Sequence, residues 1–242
     1  MSIDFVISAW QAWAPGIEDM SDWLRWRRMD LVLAGADKPD VSFLPMMQRR
    51  RLSPLAKAAV AVAYPLIGNR DIPLLCCSVH GEALRTYSLL SDVAANDALS
   101  PTDFGLSVHN AIAGQLSILC GIQSPALALA GGNYPLQVGL IEAMGVLAEG
   151  EQELLLLFYE ESLPEMYLGS ARSPKYMCAT ALHLSNMCTN TSGLRASLVS
   201  GTKQVVSAFE EAEYQLPLIA ALVDGAGRLP VGQGWDLIVH EK

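Results

Sequence analysis

The chain has 242 residues, 51% hydrophobic and 17% charged, with 16 Lys and Arg against 25 Asp and Glu for a formal charge of -9. That length is enough to bury a sizeable core, and the acidic balance excludes a general basic footprint for nucleic acid or anionic lipid. A low charged fraction with a mean hydropathy of +0.28 implies either a large core or a surface covered by a partner.

The opening "MSIDFVISAW" has no basic segment ahead of an apolar stretch, so no signal peptide is expected. "FVISAWQAW" reads as a strand ending in a loop at Pro15-Gly16, and Ser21 or Asp22 would cap a helix over "DWLRWRR". Residues 37–45, with Pro39 and Pro45, read as a loop. Ser53 at the cap and Pro54 at the first helical position then open "SPLAKAAVAVAYPLI". "IPLLCCSV" is a buried strand, and Gly81-Glu82 opens the helix "EALRTYSLLSDVAAN". "SPTDFGLSVHNAIAGQLSILCG" begins as a loop and becomes helical near Val108. "ALALA" is a strand, joined tightly through "GGNY" to a helix that stops at Gly150. "ELLLLFYE" and "YMCATALHLS" are strands, "TKQVVSAFEEAEYQ" an exposed amphipathic helix, and "WDLIVHEK" a last strand. Strands that are apolar throughout and alternate with helices imply an α/β fold. It would have α-β-α layers, a mixed and mostly parallel sheet, and one domain over residues 1–242.

The five cysteines, Cys76, Cys77, Cys120, Cys178 and Cys188, form no CxxC and are odd in number. They read as buried free thiols in a reducing compartment, so a cytoplasmic protein is expected. No run reaches the ~18 apolar residues of a membrane span, and "AKAAVAVAYPLIG", interrupted by Pro65, fits a core helix. GxSxG, P-loop and HExxH motifs are absent, and "VGQGWD" carries only two glycines of a dinucleotide fingerprint and precedes a strand. His80, His109, His183 and His240 lack metal-ligand spacing, so neither a metal nor another cofactor is expected. His183 reads as a satisfied or edge histidine and His240 as exposed, while His80 and His109 end elements that converge on the "GGNY" joint. "FEEAE" and "FYEES" read as solvated ends, and Asn190-Thr191-Ser192 as a chance match to a glycosylation acceptor.

The strand–joint–helix run "ALALAGGNYPLQVGLIEAMG" is where an α/β enzyme places a nucleophile on an elbow, yet the elbow residue is Asn133. From Leu99 to Glu161 the sequence resembles the N-terminal half of β-ketoacyl-acyl carrier protein synthases, which have the thiolase fold. Ser100-Pro101, Asn110 opening "AGQLSILCG", Ser124-Pro125 opening "ALALAGG", and the following helix and strand carry the likeness in order and spacing. "FVISAWQAWAPG" and "MMQRRRLSPLAKAAVAVA" are similar to the family's first strand and first long helix. The resemblance puts the family's catalytic cysteine on Asn133, and a carboxamide forms no acyl thioester. The stretch after Asn133 is also too short for the family's second half, which carries its two catalytic histidines.

The resemblance therefore implies a catalytically silent, truncated chain-length factor of the aryl polyene type, with no cofactor. It would pair with a full-length β-ketoacyl synthase and meet the acyl carrier protein only indirectly. On this reading Asp103, Phe104, Ser107 and His109 form a gate in the partner's acyl tunnel. Ser124, Pro125, Leu127, Leu129, Ala130, Asn110 and Tyr134 form the dimer interface. Arg49, Arg50 and Arg51 are either a solvated, locally paired loop or a carrier-docking contact. Two alternatives stay open. One is a homodimeric acyl-chain-binding scaffold. The other is a divergent acyl-transfer enzyme using Asn133, His109 or Asp103 with Ser107 or Tyr134.

Overall fold

A computed structural model of the chain describes residues 2–35, 38–189, 192–200 and 213–241. Its backbone centres on an eight-stranded sheet, built from β1 (Ser2–Trp13), β2 (Leu74–Cys77), β3 (Ala126–Leu129), β4 (Glu153–Glu160), β5 (Cys178–Asn186), β6 (Leu194–Ser200), β7 (Gly227–Gly232) and β8 (Trp235–Val239). The spatial order is β3-β2-β4-β5-β1-β6-β8-β7.

The sheet is mixed, as the strand patterns imply, but its parallel part is confined to one end. There β2 runs parallel to β3 and β4. All the other neighbours are antiparallel. The expectation of a mostly parallel sheet is corrected on this point, and the cause is burial. Strand β5 is antiparallel to both neighbours yet buried from Cys178 to Ser185. An apolar run reports coverage on both faces, which a strand acquires in either direction when helices lie above and below it.

Those helices make the α-β-α layering. On one face lie α3 (Pro54–Ile67) and α6 (Ala111–Cys120), whose Leu55, Ala59, Ile112 and Leu116 pack on Leu155, Leu157 and Tyr159 of β4. On the other face α7 (Pro135–Ala148) and α8 (Gln215–Asp224) pack Leu136, Leu140 and Leu218 on Leu154, Leu156 and Phe158. The alternation along β4 sends successive side chains to opposite cores. Helix α3 starts as expected, with Ser53 Oγ accepting the Ala56 N–H at 2.9 Å and Pro54 in the first turn.

Helix α1 (Met20–Arg27) is capped two or three residues earlier than expected. Asp19 Oδ1 accepts from the N–H groups of Ser21 and Asp22, while Asp22 accepts from the Glu18 N–H. Where a single helix from Val108 is expected, the chain forms a short α5 (Pro101–Gly105), a turn, and then α6 from Ala111. Strands β6 and β7 escape the sequence reading. The first is buried only at its centre, and the second carries Gly and Pro, so neither shows a long apolar run. The helix expected over residues 202–215 lies outside the described residues except for its end, where Tyr214 and Gln215 are buried. The remaining elements are the one-turn α2 (Met46–Arg49), α4 (Ala83–Ala95) and a 3-10 turn over Glu165–Tyr167.

Candidate functional site

The joint between β3 and α7 closes tightly because of its glycines. A Cβ on Gly131 would lie 2.3 Å from Pro135 Cα, and Gly132 has φ +54°. Left-handed backbone and close approach are the two demands that glycine alone meets cheaply. The left-handed residue of the turn is Gly132, and Asn133 stands exposed at its tip. Asn133 lines two adjoining cavities among the described residues. The larger, about 960 Å³, is walled by Leu136, Leu168, Tyr214, Leu229 and Val231. The smaller, about 310 Å³, is bounded by His80, Glu160, Ser170, Arg172 and Tyr214. Helix α7 begins at this point, so its first N–H groups and positive dipole end face the elbow. The geometry is a tight strand–turn–helix joint that presents the Asn133 carboxamide at its tip.

Beneath the elbow lies an acid that the sequence reading missed. "FYEES" is not solvated: Glu160 and Glu161 are 3% and 5% exposed. Glu160 accepts from the Val79 N–H, from Ser78 Oγ at 3.2 Å and from Tyr214 Oη at 3.2 Å. Burial pushes its carboxyl up to about 7, against the lowering effect of those hydrogen bonds. Glu161 is likewise raised to about 7, by burial first and then by the Glu82 carboxylate. Burial also lifts the Cys77 thiol to about 12, so it is not a nucleophile in waiting. A sequence signal for Glu160 did exist, since it ends a strand buried on both faces with no exposed residue before it.

The four expected gate residues separate into two environments. Asp103 and Phe104 lie on α5, with Asp103 paired to Arg85 and Phe104 66% exposed. Ser107 Oγ turns back to donate to Phe104 O at 2.8 Å. The ring of His109 points inward, with Nε2 2.9 Å from Ser78 O. His80 is also engaged, its Nε2 2.8 Å from Arg172 O. His183 is satisfied at the centre of the sheet by Glu153 Oε2 at 2.6 Å, and the exposed His240 meets Ser197 Oγ at 2.6 Å.

The expected interface residues surround β3, the edge strand of the sheet. Leu74 and Ser78 donate their N–H groups to Pro125 O and Leu129 O. Alternation along the strand therefore turns the backbone groups of Ala126 and Ala128 toward the open edge. Leu127 and Ala130 are exposed, whereas Leu129 is partly packed into the core. Ser124 is tied to Asp71, with its N–H 2.8 Å from Asp71 Oδ1. Asn110 is exposed at the start of α6. Tyr134 faces away from the edge, its hydroxyl accepting from Gln233 Nε2 at 3.0 Å in the β7–β8 turn. Arg50 and Arg51 are exposed beside the exposed Met46 and Met47, while Arg49 is half-buried with its Nε lacking a partner.

All five thiols are free, though Cys188 is exposed and Cys120 half-buried rather than buried as expected. Among the described residues no group of three or more His, Cys, Asp or Glu is placed to hold a metal ion, and no helix is long and apolar enough to cross a membrane.

The family model for the β-ketoacyl synthase N-terminal domain matches residues 23–233. The structure is similar to a chain of the ketosynthase ApeO in complex with its chain length factor ApeC from Xenorhabdus doucetiae. The two are 26% identical, over 98% of this chain and 99% of that chain, with a TM-score of 0.80. It is also similar to the ishigamide ketosynthase/chain length factor, at 13% identity over 97% of this chain and 98% of that one, with a TM-score of 0.72. The module 6 ketosynthase of the bacillaene synthase from Bacillus subtilis 168 is matched over 76% of this chain but 37% of its own, with a TM-score of 0.55 and 12% identity. Among curated proteins none matches the sequence.

Proposed function

Because the chain belongs to the β-ketoacyl synthase N-terminal domain family, we propose that it acts as a non-catalytic chain-length factor. On this reading it pairs with an active β-ketoacyl synthase through β3 and shapes that partner's acyl tunnel. The observation that carries the reading is the open β3 edge, whose outward backbone groups sit between exposed apolar residues of the flanking helices. Ile118 of α6 is 81% exposed, and Leu127 of β3 and Ile141 of α7 are each 40% exposed. An apolar strand edge of this kind is a template for another strand. Asn133 at the elbow supports the non-catalytic half of the proposal, since acyl transfer to a carboxamide gives no thioester. The two full-length structural matches, one a complex of a ketosynthase with its chain length factor, support the kind of partner.

The chain works as one ketosynthase-like domain on this reading, in a reducing cytoplasm that keeps its five thiols free. Arg50 and Arg51, exposed beside Met46 and Met47, offer charge and apolar surface to an acidic carrier protein.

Co-expression with a candidate full-length synthase tests the proposal. The expected result is a stable heterodimer that elongates malonyl units, while this chain alone neither condenses nor decarboxylates carrier-bound substrates. A homodimer that ignores the synthase would favour the scaffold reading instead. Turnover by the purified chain would overturn the non-catalytic one.

A further inference from the structure

Helix α4 and the segment through α5 form an arm that apolar burial alone does not hold. Of the thirteen residues of α4 only Leu89 is buried, and α5 buries none, whereas α3 buries nine of fourteen. Leu84, Tyr87, Leu90, Val93, Leu99 and Phe104 are all exposed along this arm. An element with so little apolar contact needs another anchor to keep one orientation.

The anchor is polar and sits at the root of the arm. Glu82, 3% exposed, accepts from Ser53 Oγ at 2.6 Å and from Arg85 Nε at 3.1 Å. The other arm of the same guanidinium pairs with Asp103 of α5. Ser100 Oγ accepts the Asp103 N–H at 3.2 Å, fixing the turn in which Phe104 follows. Arg85, its side chain 16% exposed, is thus the one ion-pair link between α4 and α5 among the described residues. Its planar fork holds the two carboxylates in fixed directions, which the single, freely rotating ammonium of a lysine does less well.

Resting on the chain-length-factor reading, we infer that Arg85 is a positioning residue for product length. By clamping Asp103 to the buried Glu82, it fixes the angle at which Phe104 enters the partner's channel. The clamp sets where the growing chain stops without supplying the dimer contact itself.

The test uses the co-purified complex with its synthase and compares Phe104→Ala, Asp103→Asn, Arg85→Gln and Arg85→Lys. Asp103→Asn is the discriminating variant, because it leaves Glu82 paired with Arg85 and so spares the fold. Amide exchange over residues 101–107 is expected to speed roughly three- to tenfold in Asp103→Asn and Arg85→Gln, and less in Arg85→Lys. Both clamp-breaking variants are expected to broaden the product-length distribution read by mass spectrometry, with complex yield retained in Asp103→Asn. If Phe104→Ala shifts product length while Asp103→Asn and Arg85→Gln give wild-type distributions, the clamp inference is overturned and the gate stands. Should Phe104→Ala itself change nothing, the gate reading fails and the inference falls with it.

Discussion

The two ends of the sheet are built to opposite specifications. At the β7 end the edge is blunted: Pro230 has no N–H to offer, the register shifts between Pro230 and Gly232, and Arg228 is paired with Asp236 at 2.5 Å. Proline, a bulge and a charge are the devices by which an edge strand avoids pairing with another chain. At the β3 end none of these devices is present over Ala126–Leu129, and the flanking surface is apolar. One chain thus protects one edge and leaves the other open, a contrast that supports the proposed pairing through β3.

The sharpest way to break this contrast is to give β3 the protection that β7 has. Ala128→Pro removes an outward N–H while leaving the bonds to β2, which run through Pro125, Leu127 and Leu129, in place. It is expected to weaken synthase binding about 100-fold or more, or ~3 kcal/mol, with the folded chain retained by circular dichroism. Binding within threefold of wild type would move the interface elsewhere. Leu129 is a poorer target, since it packs partly in the core and a charge there would strike the fold.

Next in size is the apolar flank. Ile118→Asp puts a charge on the most exposed large apolar residue beside β3 and is expected to cost about 2 kcal/mol of association, or roughly 30-fold. Titration calorimetry of the complex would show it, and an unchanged affinity would confine the interface to the strand itself.

The interior between the two edges predicts a pH dependence. The carboxyls of Glu160 and Glu161 are each raised to about 7. Glu160 faces Tyr214 and Cys77, and Glu161 faces Glu82 and Arg85. A carboxyl raised in the fold contributes stability that is complete below its ordinary value and is lost as pH rises through 7. Unfolding stability is therefore expected to be greater at pH 5.5 than at pH 8, by on the order of 2 kcal/mol for each carboxyl. Glu161→Gln should flatten that slope in thermal melts, and a melting temperature that rises steadily from pH 5.5 to 8 would contradict it.

The smallest effect is expected at the protected end. Arg228→Leu with Pro230→Val strips β7 of its charge and proline. It should produce weak self-association, visible by sedimentation only at high protein concentration. Tight dimers from this variant would show that blunting alone decides which edge pairs.

Much of the elbow could be read from the sequence because its constraints are local. Two glycines between an apolar strand and an apolar helix opening with proline demand a tight joint whatever surrounds them, and Asn133 at its tip is a matter of residue identity. The Ser53-Pro54 start of α3 is legible for the same reason, since an N-cap acts within one turn. Glu160 was misread because charge in a sequence implies solvent by default. Its hydrogen-bond partners come from the segment that follows β2 and from Tyr214, distant in the chain.

The sequence alone determined which segments are strands buried on both faces, the tight joint before α7, and that its tip is an asparagine. These follow from side-chain volume, polarity and local backbone freedom. Only the tertiary structure decided strand direction, which edge of the sheet is left open, and that Arg85 joins Glu82 to Asp103. Each of these depends on neighbours brought together by packing, and burial on two faces looks the same in sequence whichever way the neighbouring strand runs.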